Sequence, residues 1–271
     1  MPAPPSRPGR LLRRWLAVVL GAALLAPTAA AQRAPLRRNP ARNARTPNLV
    51  LIVADDLGWG DPGCYGQRRL PTPEIDRLAA EGLRFTDAYA ASPDPAASRA
   101  SLLTGRDTGH SPVRDETPPP LSADAITVAE VVRAAGYRSA FVGAWGLGGD
   151  GTTGHPLRQG FDEFFGWTDL REACDPFPAW LWRNTTPFRL PGNQAAPRRD
   201  FGADWIARTA TNAVRLWQDH PFLLVFNPPV PRAHRFPTTN SFEGLAAPPS
   251  APPGGTPAEQ GRAARLARLD A

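Results

Sequence analysis

The chain contains no lysine, so all 31 of its basic residues are arginine. With a formal net charge of +6, that usage fits coding bias as well as a basic surface. The arginines form no stripe interleaved with aromatic residues, which argues against nucleic-acid recognition. Cysteine is scarce as well: Cys64 and Cys174 are the only two. Two cysteines can make one disulfide in an oxidising compartment or stay unpaired, but they cannot build a zinc site or a disulfide scaffold. Long apolar runs are also missing. The run from Trp15 through Ala26 is too short and too asymmetrically flanked for a comfortable membrane span.

What the N-terminus does have is the layout of an export signal. Arg7, Arg10, Arg13 and Arg14 form a basic region, the short apolar run follows, and Ala29, Ala30 and Ala31 supply the small residues of a cleavage site near Gln32. Residues 1–31 therefore read as a signal peptide and the mature protein as periplasmic or extracellular; an uncleaved anchor is the alternative. No cysteine sits at the cleavage point, against a lipoprotein. Residues 32–46, rich in Arg, Pro and Asn, read as a flexible arm. The remainder, 47–271, is long enough for one sizeable domain with a buried core.

Within that domain Leu49 to Ala54 is a continuous apolar run ending on Asp55 and Asp56, the pattern of a fully buried strand that points acids into a crevice. Thr72, Pro73 and Glu74 start a helix, with Thr72 as cap and Gly82 as stop. Phe85 to Tyr89 reads as a short strand, Thr127 as the start of a helix ending at Gly136, and Ser139 to Val142 as another strand. Apolar residues at three- and four-residue spacing, among them Trp205, Ile206, Ala213 and Trp217, predict an amphipathic helix over 202–219. Phe222 to Phe226 reads as a buried strand, 246–257 as loop, and Pro257 to Leu269 as a last helix. Helices alternating with short buried strands predict an α/β fold with a mostly parallel central sheet flanked by helices.

Several stretches resemble the sulfatase family of the alkaline phosphatase-like superfamily. They are PNLVLIVADDLGWGDPGCYG at Pro47 to Gly66, LPTPEIDRLAAEGLRFTDAYA at Leu70 to Ala90, and SRASLLTGRDTGHSPVR at Ser98 to Arg114. GAWGLGGDGTTGHPLRQGFDEFFGW at Gly143 to Trp167, LWRN at Leu181 to Asn184 and PFLLVF at Pro221 to Phe226 continue the likeness. The resemblance implies hydrolysis of a sulfate ester by a hydrated formylglycine with calcium, and aryl sulfates or sulfated carbohydrates as partners. It also implies a later Asp and Asn pair of calcium ligands on a downstream strand; no such segment follows, so the domain is expected to be an incomplete, N-terminal sulfatase-like part.

The same resemblance assigns the site residues. A bare DD pair reads first as a turn or helix cap; the resemblance reverses that order, because Asp55 and Asp56 fall where the family holds calcium. The nucleophile position, Cys or Ser in the family, is Pro95, in the run Pro95, Ala96, Ala97, Ser98 and Arg99. Proline has no atom that can attack sulfur and no route to formylglycine, and nucleophilic catalysis needs an activated heteroatom there. Ser92, Asp94 and Ser98 are neighbours that could substitute only with attack geometry held to about an ångström. The lysine expected to hold sulfate is Ala144, a family histidine is replaced at Cys174, and another by Arg232, which cannot deliver a proton; His234 is a stand-in two residues on. Arg99 either attracts an anion or pairs with Asp55 or Asp56. His110 is either a pocket residue or a loop lock, Ser98 reads as a helix cap, and His155 as part of a surface loop. The expected protein is thus a catalytically inactive sulfatase homologue or truncated remnant, retaining at most anion or sulfated-glycan binding through Arg99, His110 and Arg232. The alternative is an active calcium-dependent sulfuric ester hydrolase.

Overall fold

The computed structural model describes residues 46–115, 118–229 and 269–270. The signal peptide, nearly all of the arm, the loop over 246–257, Arg232 and His234 lie outside the described residues, as does the last helix apart from Leu269 and Asp270, which are helical.

Among the described residues six strands form one mixed sheet: β1 (Leu49–Ile52), β2 (Arg138–Ala144), β3 (Glu163–Trp167), β4 (Trp180–Arg183), β5 (Thr186–Arg189) and β6 (Phe222–Asn227), in the order β1-β6-β2-β3-β4-β5. The pairs β1 with β6, β6 with β2 and β2 with β3 are parallel. The pairs β3 with β4 and β4 with β5 are antiparallel. The helices are α1 (Pro73–Glu81), α2 (Pro95–Thr104), α3 (Val128–Ala134) and α4 (Gly202–Trp217).

The middle strands are apolar in every register because both of their faces are covered. Phe141, Leu223 and Val225 point to one side, where Ala96, Ala100 and Leu103 of α2 and Ala129 of α3 pack on them. Their neighbours Ala140, Val142, Phe222 and Leu224 point to the other, against Ile206, Ala210 and Trp217 of α4. The period-two alternation of the strands and the stripe of α4 thus meet in two separate cores.

The local signals around these elements act as physical chemistry requires. Thr127 and Glu130 form a reciprocal capping box at the start of α3. A two-residue turn at Asn184 and Thr185 joins β4 to β5, with Asn184 at φ 57° and its Oδ1 accepting from the Phe164 amide at 2.9 Å; asparagine tolerates that left-handed geometry at low cost.

Several expectations need correction. β1 is not fully buried: among the described residues it pairs on one side only, with β6, and Val50 and Ile52 are 51% and 54% exposed. Its apolar run satisfies the composition of a central strand, but α4 packs on the strands further into the sheet. Phe85 to Tyr89 forms no strand and is exposed, since no ladder partner lies beside it among the described residues. Thr72 makes no side-chain cap to α1; its hydroxyl instead accepts from the Gly63 amide at 2.8 Å, and the Glu74 and Ile75 amides donate to Asp270 at 3.2 and 2.8 Å. Ser98 is inside α2 rather than at its start, because Asp94 and Pro95 begin that helix one turn earlier. His155 is buried, not on a surface loop: its ring stacks edge-on against Phe164 and its Nδ1 accepts from the Leu157 amide at 3.3 Å. Cys64 and Cys174 are both free thiols.

Candidate functional site

The site residues gather where the parallel strands β1 and β6 end, the edge at which open α/β sheets collect functional groups. The ladder runs one step past β1, with the Val53 amide donating to Phe226 O at 2.9 Å, and then delivers Asp55 and Asp56. Asp56 turns away with φ 58° and is exposed. Asp55 turns inward and pairs with Arg99, which reaches up from the second turn of α2.

Asn227, the last residue of β6, completes the cluster. Its Oδ1 accepts from Arg99 Nε at 3.0 Å and from Arg99 Nη2 at 2.8 Å. Its Nδ2 donates to Val53 O at 2.6 Å and lies 3.4 Å from Asp55 Oδ1. One amide side chain thereby ties the end of β1, the end of β6 and α2 together. The Arg99 and Asp55 side chains retain only 4% and 14% of their exposure, so the pair is withdrawn from water and each charge depends on the other. Asn227 was not read from the sequence. The available signal was a polar residue closing a buried parallel strand, the same pattern that marked Asp55.

A glycine makes this meeting feasible. Gly143 stands beside Asn227 in the β2–β6 register with φ 136°, and a Cβ there would lie 1.9 Å from Asn227 O. Any other residue would push β6 away from β2 at the level of the cluster.

Pro95 is the first residue of α2, one helical turn before Arg99 and on the same face. The amides next to it are already engaged: Asp94 Oδ1 accepts from Ala96 N at 3.0 Å and Ala97 N at 3.1 Å. Asp94 thus serves as the cap of α2, and Ser92 accepts from the Asp94 amide at 3.1 Å. Ala144 is fully buried at the end of β2, opposite Trp167. Cys174 is buried in a short turn, its Sγ 3.5 Å from Leu170 O. His110 is not brought into the cluster: it is exposed and its Nδ1 lies 2.7 Å from Asp107 of its own turn, a hydrogen bond that holds the Asp107 carboxyl below the usual carboxylate range. The structure therefore unites Asp55, Arg99 and Asn227, with Pro95 on the Arg99 face of α2.

Calcium takes six to eight oxygen ligands, and these residues do not fit it. Asp55 and Asn227 already give oxygens to the Arg99 guanidinium, which puts a fixed positive charge where a cation would need acceptors. Among the described residues no group of three or more His, Cys, Asp or Glu side chains assembles. No helix of the described residues is long and apolar enough to cross a membrane.

Comparison with known proteins gives this geometry a context. Over 187 residues the chain is 40% identical to steryl-sulfatase of Mus musculus, covering 63% of this chain and 28% of that protein. It is 47% identical to arylsulfatase A of Homo sapiens over 133 residues, 45% of this chain and 25% of the relative. The match therefore spans under a third of either relative's length. Among solved structures, Ps i-CgsB superposes with a TM-score of 0.67 at 25% identity, over 83% of this chain and 53% of that one. BT4656 in complex with its substrate D-glucosamine-2-N,6-O-disulfate superposes with a TM-score of 0.59 at 25% identity, over 69% and 35%. The Sulfatase family model matches residues 47–231, and with the α/β sheet and the Asp55 cluster at its strand ends, the chain belongs to the sulfatase family.

Proposed function

We propose that this chain is a catalytically silent sulfatase-family protein, exported from the cytoplasm, whose remaining chemistry is recognition of a sulfated ligand. The observation that carries the reading is the state of the α2 start. Pro95 stands where the family resemblance puts the nucleophile, and a pyrrolidine ring has no oxygen or sulfur to form a bond to the ester. The neighbouring amides that could steady an anion are capped by Asp94.

The Arg99 network supports the catalytic silence and leaves ligand recognition to groups outside this cluster. A guanidinium poised for a sulfate oxygen must keep its charge available, whereas here Asp55 and Asn227 both take it up. Ala144 and Cys174 stand where the resemblance expects a lysine and a histidine; neither carries the positive charge that would hold a sulfate oxygen, and Ala144 has no proton to give. A sulfated carbohydrate or aryl sulfate is the ligand class that family membership favours, and the matched complex of BT4656 with a disulfated glucosamine points the same way.

Family membership also favours a second reading, an active sulfuric ester hydrolase using calcium, with the oxygens that these residues lack coming from elsewhere. The two readings differ on turnover. Purified protein incubated with 4-nitrophenyl sulfate and calcium is expected to release 4-nitrophenol no faster than buffer. A Pro95→Cys, Ala97→Pro variant produced beside a formylglycine-forming enzyme tests whether the start of α2 is the only obstacle. Steady turnover by the unmodified chain would refute the silent reading.

A further inference from the structure

The geometry points to a second, superficial ligand site beside the Asp55 cluster: an aromatic platform of Trp59 and Tyr65, flanked by arginines, that takes a sulfated sugar. The two rings lie on one another, with centroids 4.1 Å apart and planes tilted by 38°, so Tyr65 backs Trp59 and the open aromatic face is that of Trp59. The Arg84 guanidinium sits 5.8 Å from the Tyr65 centroid and donates to Cys64 O. Trp59 follows Asp55 by four residues, which places its Cα within about 14 Å of the Asp55 Cα by chain length alone.

The platform is rigid although it is open to water. Trp59 is 56% exposed, yet the turn that carries it is closed by Gly58 N donating to Asp61 Oδ2 at 2.7 Å and Asp61 N donating to Gly58 O at 3.0 Å. The turn carrying Tyr65 is held from α1 and its approach, with Gly63 N donating to Thr72 Oγ1 at 2.8 Å and Cys64 N to Asp76 Oδ1 at 2.6 Å. Tyr65 itself donates to Phe85 O at 2.9 Å. A large aromatic held in place without burial lowers the ordering cost of binding rather than stabilising a core.

The surrounding charge selects the occupant. Arg68 and Arg69 are exposed and lie within about 14 Å of Tyr65 along the chain. The ion pairs seen among the described residues involve none of Arg68, Arg69 and Arg84. Of the acids in this region, Asp61 and Asp76 accept from backbone amides, Glu74 and Glu81 pair with Arg77, and Asp87 accepts from Thr86 Oγ1 at 2.8 Å. A flat apolar face suits the C–H face of a sugar ring, and the arginine forks suit its sulfate oxygens. The site rests on the proposed function only for its ligand class and needs no turnover.

Calorimetric titration of the full chain with dextran sulfate, neutral dextran and inorganic polyphosphate tests it. Dextran sulfate should bind and dextran should not. Trp59→Ala should weaken dextran sulfate about tenfold, and Trp59→Phe less than about threefold, as expected for a loss of stacking. Polyphosphate, which has no ring to stack, should respond to Arg84→Gln but not to Trp59→Ala. Dextran sulfate binding that is indifferent to Trp59→Ala, or an equal loss for polyphosphate, would reduce the platform to charge attraction and overturn the proposal. Thermal melting confirms that the variants are folded. Sulfate release by the unmodified chain would sink the silent reading and leave these affinities as measured.

Discussion

β1 and β6 are adjacent parallel strands of almost the same apolar character, one reading LVLI and the other FLLVFN, yet they live in different environments. β6 has a strand on each side and a helical layer on each face. β1 has a single strand neighbour among the described residues, and the side chains of Val50 and Ile52 on one face are half open. Composition sets what a strand can bury; its place in the sheet order sets what it does bury. The two strands then converge at their C-terminal ends, where Asp55 and Asn227 share Arg99. The weakly covered strand is thus pinned by polar contacts at the level of the site.

The sharpest way to break this arrangement is Arg99→Ala. It leaves Asp55 charged and poorly solvated, and removal of one partner of a buried pair costs about 3–5 kcal/mol, read by urea denaturation. Leu224→Ala in β6 should cost about 2–5 kcal/mol, because Leu224 is fully enclosed. Gly143→Ala combines a backbone collision with an unfavourable φ and should cost more than about 2 kcal/mol. Ile52→Ala in β1 is the contrasting control and should cost under about 1 kcal/mol, since surface positions respond weakly. Equal losses for Leu224→Ala and Ile52→Ala would show that β1 is covered after all.

A smaller effect comes from His155, which packs on Phe164 on the same sheet face as α2. Burial lowers the His155 pKa, so the fold prefers its neutral ring. The unfolded chain, with an ordinary histidine near about 6.5, binds the proton more readily, and stability should fall as pH drops below that value and level off below the folded pKa. Melting between pH 7.5 and 5 should show this slope in the native chain and less of it in His155→Asn. A flat profile in both would mean that the ring is solvated.

Much of this was legible in the residues. The spacing of Ile206, Ala213 and Trp217 gave α4 to within two residues at its C-terminal end, and Thr127 and Gly136 bracketed α3. The degree of β1 burial was not legible, because an apolar run reports potential burial without neighbours. The hairpin of β4 and β5 was missed for a related reason: its strands are short, carry arginine and proline, and depend on the geometry of Asn184. In the site, Asp55 and Arg99 were singled out and their pairing was one of the options considered. Asn227 escaped because a single asparagine after an apolar strand has no meaning until β1 is placed beside β6. His155 was misjudged since its burial comes from Phe164, which no local pattern around Gly154 and Pro156 reveals.

The proposed silence rests on Pro95 at the start of α2, whose ring has no atom to attack a sulfate ester. Ion chromatography of inorganic sulfate, after prolonged incubation of the full chain with a sulfated polysaccharide and calcium, addresses it most directly. Sulfate is predicted to stay at the level of a protein-free control, and release that grows in proportion to protein concentration would contradict the account.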